Sequence, residues 1–461
     1  MERLASFVAG TSHEDLGPEV RQDLKIRVLD ALGCALGALG GETVGRVREY
    51  ATAFGPAGPC TLVGGGCAPP GQAALVNGAL VRYLDFNDSY LAPGETCHPS
   101  DNLAPVLAAA ELADADGAAL LAALAVAYQV QCRLSDEGAV RRHGFDHTTH
   151  LAYSAAAGAA RALGLDAERT AHGIAISGTA LNALRVTRTG ALSNWKGLAA
   201  PFAASSAVRA TLLAAHGLTG PLEVFEGNKG LFDAITGPFE IAWEAERPER
   251  VRRTIVKRYN AEIHSQSALE AALLLRREHG FRGGEVERVE VEVFDVAYRI
   301  IGGGEEGEKT RVRTKEEADH SLPYMLAVAL LDGAVMPAQY EGERIARPDV
   351  QALLRRVVVR PDAAFSRRFP AEMPARVTIA LADGRVLARE LPDYAGFHTR
   401  PAGWAGAREK FMALGSGRAP ASLLEEIAAA VAALEGIRVA ELTALLGRAG
   451  AARPRTPLIH A

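Results

Sequence analysis

From Pro18 onward the apolar residues Val20, Leu24, Val28 and Leu32 recur every fourth position, which stacks them on one face of a helix. Pro18 suits the first helical position, because its missing N–H has no intrahelical partner there. The same periodicity predicts helices over about 70–84, 103–113, 118–134, 151–163 and 198–216, so the first half of the chain reads as all-helical. These stretches are rich in Ala and Gly, as in "AYSAAAGAARALG". Small side chains let helix axes approach closely, and close packing is the way such helices bury enough surface.

The period changes after about Gly280. "VERVEVEVF" alternates Val289, Val291 and Val293 with Glu290 and Glu292, the signature of a strand with one buried face. "ARVTIALADGRVLAREL" reads as two strands joined at Asp383-Gly384, a dipeptide that tolerates positive φ in a hairpin turn. The pattern therefore predicts a smaller α+β module over 265–400. Within it "IIGGGEEGEKT" is Gly-rich and charged, without an apolar anchor, and is expected to move. Beyond Pro401 helical periodicity returns, as in "LLEEIAAAVAALEG". The expected architecture is mainly α: an all-helical domain from both chain ends, 1–264 and 401–461, with the α+β module inserted.

Composition narrows the class of partner. A chain of 461 residues has room for two or three domains, and 48% hydrophobic with 23% charged residues is the balance of a soluble globular protein. A net charge of -5 argues against a nucleic-acid surface and leaves small molecules or proteins as partners. Cys34, Cys60, Cys67, Cys97 and Cys132 are odd in number and form no C-x-x-C, so neither a disulfide framework nor a zinc knuckle is signalled. "MERLASFVAG" lacks the apolar core of a signal peptide, and a reducing cytoplasm is the expected compartment. The apolar run Ala118 to Val130 is shorter than the about 20 residues a membrane span needs, so it is expected as a buried helix.

Reactive side chains concentrate in "YLDFNDSYLAPGETCHPSDN", Tyr83 to Asn102. One predicted helix ends there with Asp85, Asn87, Asp88 and Ser89, and the next begins after His98 to Asn102. Ordinary helix capping accounts for Ser100 and Asp101. It does not account for His98, nor for Asp85, whose charge at a helix C-terminus needs a compensating partner.

Two further stretches carry candidate chemistry. Only seven of the 50 basic residues are lysine, and one of them, Lys196, lies in the apolar helical context "LSNWKGLAAP". It is either a compact charge meeting a carboxylate or a stem laid along the core with its head in water. Arg185 and Arg188, shortly before it, could add carboxylate-binding forks. His264 opens a helical run in "KRYNAEIHSQSALEAALLL", at the junction between the two patterns, where ligand clefts commonly form.

Other signals are weak. His147 and His150 in "HTTH" are one helical turn apart, but the zinc-protease glutamate and a third ligand are missing. "LVGGGCAPPG" and "IIGGGEEG" lack the features of a phosphate or dinucleotide loop. Cys97 beside His98 is an adjacent pair, which does not bring thiol and imidazole into catalytic geometry.

"LVNGALVRYLDFNDSY", "HPSDN", "WKGLAA" and "AEIHSQSALEAA", in this order and spacing, resemble the MmgE/PrpD family over residues from about 5 to about 440. That family includes 2-methylcitrate dehydratases, cis-aconitate decarboxylases and iminodisuccinate epimerases. The resemblance implies a helical domain with an inserted α+β lid, and a homodimer that works without metal or organic cofactor. It carries catalytic roles onto Asp85, His98, Lys196 and His264, and a substrate-facing hydroxyl onto Ser89. "HPSDN" and "HSQSALEAA" look more like the dehydratase branch. The expected reaction removes a proton α to a carboxylate of a small di- or tricarboxylate. Lys196, with Arg185 or Arg188, would bind that carboxylate, while His98 and His264 share the proton transfers.

Overall fold

The computed structural model describes residues 1–93 and 95–450, so the end of the expected 401–461 segment, 451–461, lies outside the described residues. Helix α1 spans Pro18–Gly37, with Pro18 at its start and Val20, Leu24, Val28 and Leu32 all buried. Each such side chain contributes about 1.5–3 kcal/mol when fully buried. Helices α2 (Pro70–Tyr83), α3 (Leu103–Leu112), α4 (Gly117–Glu137), α5 (Thr148–Ala162) and α6 (Trp195–Ala215) follow. Helix α6 starts three residues earlier than its apolar pattern predicts, which places Lys196 in its first turn.

Helix α2 packs on α6, and α5 packs on both α4 and α6. Close approach here depends on small side chains. A Cβ on Gly158 of α5 would sit 2.6 Å from Val106 and 2.8 Å from Ala127, so glycine is required for these helices to meet. Helix α4 corrects one expectation: it extends the apolar run to 21 residues, long and apolar enough by composition to cross a membrane. Its apolar window is 83% buried inside the protein, so neighbouring helices take the place of lipid.

In the C-terminal region, helix α7 (Gln266–His279) leads into strand β1 (Val286–Val293), which buries Val289, Val291 and Val293. Helix α8 (Leu322–Asp332) and strands β2 (Val357–Pro361), β3 (Ala375–Leu381) and β4 (Val386–Leu391) complete a mixed sheet of order β2-β1-β3-β4. The β3–β4 hairpin turns at Asp383-Gly384, with Gly384 at φ +87°. Strand β2, "VVVRP", pairs in parallel with β1 and is absent from the sequence reading. Its five residues are too few to show an alternating pattern. Helix α9 (Gly403–Gly415) then packs on α1. The chain is thus mainly helical, with 59% helix, 9% strand and one small mixed sheet.

Candidate active site

The site is built where α2 stops. Asp85 leaves the helix in the left-handed region at φ +55°, a conformation that costs a non-glycine residue roughly 1–2 kcal/mol. Four long side chains hold it there through four successive carbonyls. Lys315 donates to Tyr83 O, Asn260 Nδ2 to Leu84 O at 2.5 Å, Lys257 Nζ to Asp85 O at 2.7 Å and Lys410 Nζ to Phe86 O at 2.6 Å. The negative end of the helix dipole is thereby covered by cations.

The Asp85 carboxylate lies inside the same cluster. Arg82 and Lys257 (3.2 Å) meet Oδ1, and Lys196 Nζ meets Oδ2 at 3.3 Å. Burial alone would raise this carboxyl, but Arg82, Lys257 and Lys196 outweigh it and hold Asp85 well below the usual carboxylate range. Lys196 also meets Asp319 at 2.6 Å, and Lys315 meets the other Asp319 oxygen at 2.7 Å. His320 Nδ1 is 3.0 Å from Asp319 and 3.7 Å from Asp85.

Arg82 and Asp85 open onto a cleft enclosing about 440 Å³, part of it open to solvent, with His98, His147, His264 and His320 in its walls. Lys257 lines this cleft. Lys196 does not: it lies on the far side of Asp85, against a separate narrow niche. Ser89 is likewise behind the wall, with Oγ 3.1 Å from His98 Nδ1. Of the residues singled out in the sequence, Asp85, His98, His264, Arg185 and Arg188 line the cleft, whereas Lys196 and Ser89 do not.

His98 Nδ1 is 2.8 Å from Asp88 O. A carbonyl can only accept, so Nδ1 carries the proton and Nε2 is the free ring nitrogen. Burial, reinforced by the charges of Arg82 and Lys257, pushes this imidazole well below its usual range and keeps it neutral. Asp88 is itself locked by Tyr128 Oη at 2.9 Å and by the Ser100 N–H at 2.9 Å. Ser100 and Asp101 do not cap the next helix with their side chains. They accept from Asn87 Nδ2 at 2.9 and 3.2 Å instead.

His264 has the other kind of support. Its Nδ1 is 2.7 Å from Glu262 Oε1, and its buried Nε2 has no partner. Burial would raise Glu262, but His264 brings it down to about 2. The two histidines thus face one cleft with different backing groups, a carbonyl behind His98 and a carboxylate behind His264.

Arginines line the remaining wall. Arg188 grips Asp146 through Nε at 2.6 Å and Nη2 at 3.3 Å, so its fork is already filled. Arg185 Nη2 meets Glu306 at 2.6 Å, and Arg141 reaches the same oxygen at 3.2 Å. Glu95, 3.7 Å from Arg185, is raised to about 7 by burial despite that neighbour. The Gly-rich loop expected to move carries Glu306 into the wall, with its side chain 1% exposed.

His147 and His150 part company. His147 lies edge-on to His98, ring centroids 5.3 Å apart, whereas His150 pairs with Ser135 Oγ at 3.2 Å. Asp85, Asp319 and His320 come within 4.8 Å of one another, a spacing that suits a metal ion. Arg82, Lys196, Lys257 and Lys315 already meet those carboxylates, so a divalent ion would sit against fixed positive charge.

Sequence reasoning did not single out Lys257, Glu262, Asp319, His320 or Glu306, and weighed His147 only as half of a metal pair. A signal existed for the first: the rarity that singled out Lys196 applies equally to Lys257, which is wholly buried.

Comparison with known proteins completes the description. The MmgE/PrpD N-terminal domain matches residues 2–244, and the MmgE/PrpD C-terminal domain matches residues 259–436. A 2-methylcitrate dehydratase of Cupriavidus necator is 30% identical over 405 residues, covering 81% of each chain. The one from Salmonella typhimurium is 29% identical over 408 residues, again 81% of each. An alkylcitrate dehydratase of a fungal species is 28% identical over 415 residues, covering 82% of this chain and 80% of its own.

Proposed function

The chain belongs to the MmgE/PrpD family, and on that premise we propose that it is a cofactor-independent hydro-lyase acting on a small hydroxy acid with at least two carboxylates. The class includes 2-methylcitrate, the substrate in the names of its relatives. The observation that carries this reading is the unlike backing of two imidazoles on one cleft.

His98, neutral and with Nε2 unprotonated, is the base that takes the proton α to a substrate carboxylate. The electron pair moves into an aci-carboxylate, and Lys257 and Arg82 are the fixed cations beside which that charge develops. The pair then returns to form the double bond as the β C–O bond breaks. His264 delivers the proton from Nε2 to the departing hydroxide, making water, while ionised Glu262 balances its charge. Asp85, Lys196 and Asp319 hold Lys257 and Arg82 in place, and Ser89 orients His98. Arg185 lines the same cleft and is paired there with Glu306.

We also propose that 265–400 works as a lid on a helical body drawn from both chain ends. Glu306 and His320 line the cleft from that segment, His264 stands at its junction, and Asp85 and His98 come from the body. A homodimer, as the family resemblance implies, and a cytoplasmic location, expected from the cysteine pattern, are part of the same proposal.

The test is proton NMR in D2O with citrate, 2-methylcitrate and 2-methylmalate, which separates water loss from CO2 loss and from simple exchange. An alkene product, or α-deuterium, is expected with the wild type and not with His98→Asn. If none of the acids shows elimination or exchange, the hydro-lyase reading is wrong.

A further inference from the structure

Two sets of ion pairs border the cleft, and their charges balance differently. Beside Asp85, four cations (Arg82, Lys196, Lys257 and Lys315) share three carboxylates, Asp85, Asp319 and Asp101, and of the four Arg82 and Lys257 line the cleft. Beside Arg185, three guanidiniums (Arg141, Arg185 and Arg188) meet three carboxylates, Glu95, Asp146 and Glu306. The first set has positive charge to spare for a ligand. The second is filled by the protein's own acids.

Glu306 is the group that fills it from inside the cleft. Its Oε1 takes both Arg141 and Arg185, at 3.2 and 2.6 Å, while its buried Oε2 has no partner. The loop is shaped to hold it there. The N–H groups of Gly304 and Glu306 bond Tyr298 O and Arg299 O at 3.1 and 3.0 Å. Gly303 and Gly307 take φ +105° and +92°, and a Cβ on Gly304 would press within 2.8 Å of Arg299 Cα. The glycines therefore let the chain fold back tightly enough to present one buried carboxylate to two arginines.

We propose that Glu306 is a specificity-determining residue: an internal carboxylate standing where a third ligand carboxylate would bind, so that the chain prefers hydroxy-dicarboxylates to hydroxy-tricarboxylates. This rests on the hydroxy-acid hydro-lyase reading and narrows it. Ligand carboxylates are served by Arg82 and Lys257, the two cations of the Asp85 cluster that line the cleft. A third carboxylate would meet a paired arginine and a like charge.

Calorimetric binding of 2-methylmalate, citrate and 2-methylcitrate to the wild type, Glu306→Ala and Glu306→Gln tests this. Wild type is expected to bind 2-methylmalate at least tenfold more tightly than either tricarboxylate. Glu306→Ala, which frees both space and arginines, should tighten the tricarboxylates at least tenfold and change 2-methylmalate less than threefold. Glu306→Gln, which keeps the bulk, should give a smaller gain. Wild type binding a tricarboxylate as tightly as 2-methylmalate overturns the inference without any variant, and so does a weakening by Glu306→Ala. Binding in the expected order without turnover leaves the inference standing and removes the hydro-lyase reading. Turnover with tricarboxylate preference does the reverse, and no binding of any acid to any of the proteins sinks both.

Discussion

One carboxylate holds both the ring and the backbone of its neighbour: Glu262 Oε1 is 2.7 Å from His264 Nδ1, and Oε2 accepts the His264 N–H at 2.8 Å. The imidazole is fixed in direction, and the negative charge behind it is fixed too. Glu262→Gln keeps an acceptor and removes that charge. A drop in kcat of about a hundredfold is expected, the scale of a general acid or base contribution, with melting little changed. Full activity in this variant would separate His264 from proton transfer.

The Asp85 cluster predicts that two buried lysines have unequal roles. Lys257 lines the cleft and Lys196 stands behind Asp85. Lys257→Met is expected to lower kcat at least tenfold more than Lys196→Met. Lys196→Met should instead lower stability by about 3 kcal/mol, because it takes one partner from two buried carboxylates. Unchanged melting of Lys196→Met, or equal kinetic losses, would count against this division.

Much of this was legible from the chain, and the parts that were not share a cause. Six helices of the first half announce themselves by local period, though Glu2–Gly10, Glu42–Phe54 and Ala167–Ala180 do not, and β1, β3 and β4 do so by alternation. Asp85, His98 and His264 stand out as charges where local structure gives no reason for them. The misses are residues whose meaning comes from distant contacts. Lys257 is 172 positions from Asp85, and Asp319 is 123 from Lys196. Glu306 sits in a loop whose composition reads as solvated, and only two arginines from the other half of the chain make it part of the site.

His98 sets the acid side of the pH profile. Its pKa is pushed down from the ordinary 6.5 by burial and by the charges of Arg82 and Lys257. A base works unprotonated, so a lowered pKa carries activity to lower pH. The acid limb of kcat/KM should therefore fall below pH 6.5, with the value at pH 6.5 close to that at pH 7.5. A half-maximal point at or above 6.5 would contradict the assignment of His98 as base.

Metal removal should leave the rate unchanged. Asp85, Asp319 and His320 have a suitable spacing, but four cations already meet the two carboxylates. Dialysis against a strong chelator, followed by assay and elemental analysis, is the check. Loss of activity restored by one divalent ion would show that those carboxylates exchange their lysines for metal.

Lys410 reaches the site from the far end of the chain without lining the cleft. Its ammonium pairs with Asp30 of α1 at 2.7 Å, donates to Phe86 O at 2.6 Å and Lys257 O at 3.1 Å, and lies 3.7 Å from the centroid of the Phe86 ring. It therefore ties α9 and α1 to the backbone on either side of the Asp85–Lys257 pair, and acts as a positioning residue. Lys410→Met should lower kcat by about tenfold with little change in KM, the scale expected when a small displacement spoils a reactive geometry. It should also destabilise the protein, since Asp30 would be left buried without its cation. The double variant Asp30→Asn/Lys410→Met removes that unpaired charge and separates the two effects. Melting should recover toward wild type while kcat stays low, because the bonds to Phe86 O and Lys257 O are still missing. If kcat recovers together with melting, Lys410 serves stability alone and the geometry of the Asp85 turn is fixed by Lys257, Asn260 and Lys315 without it.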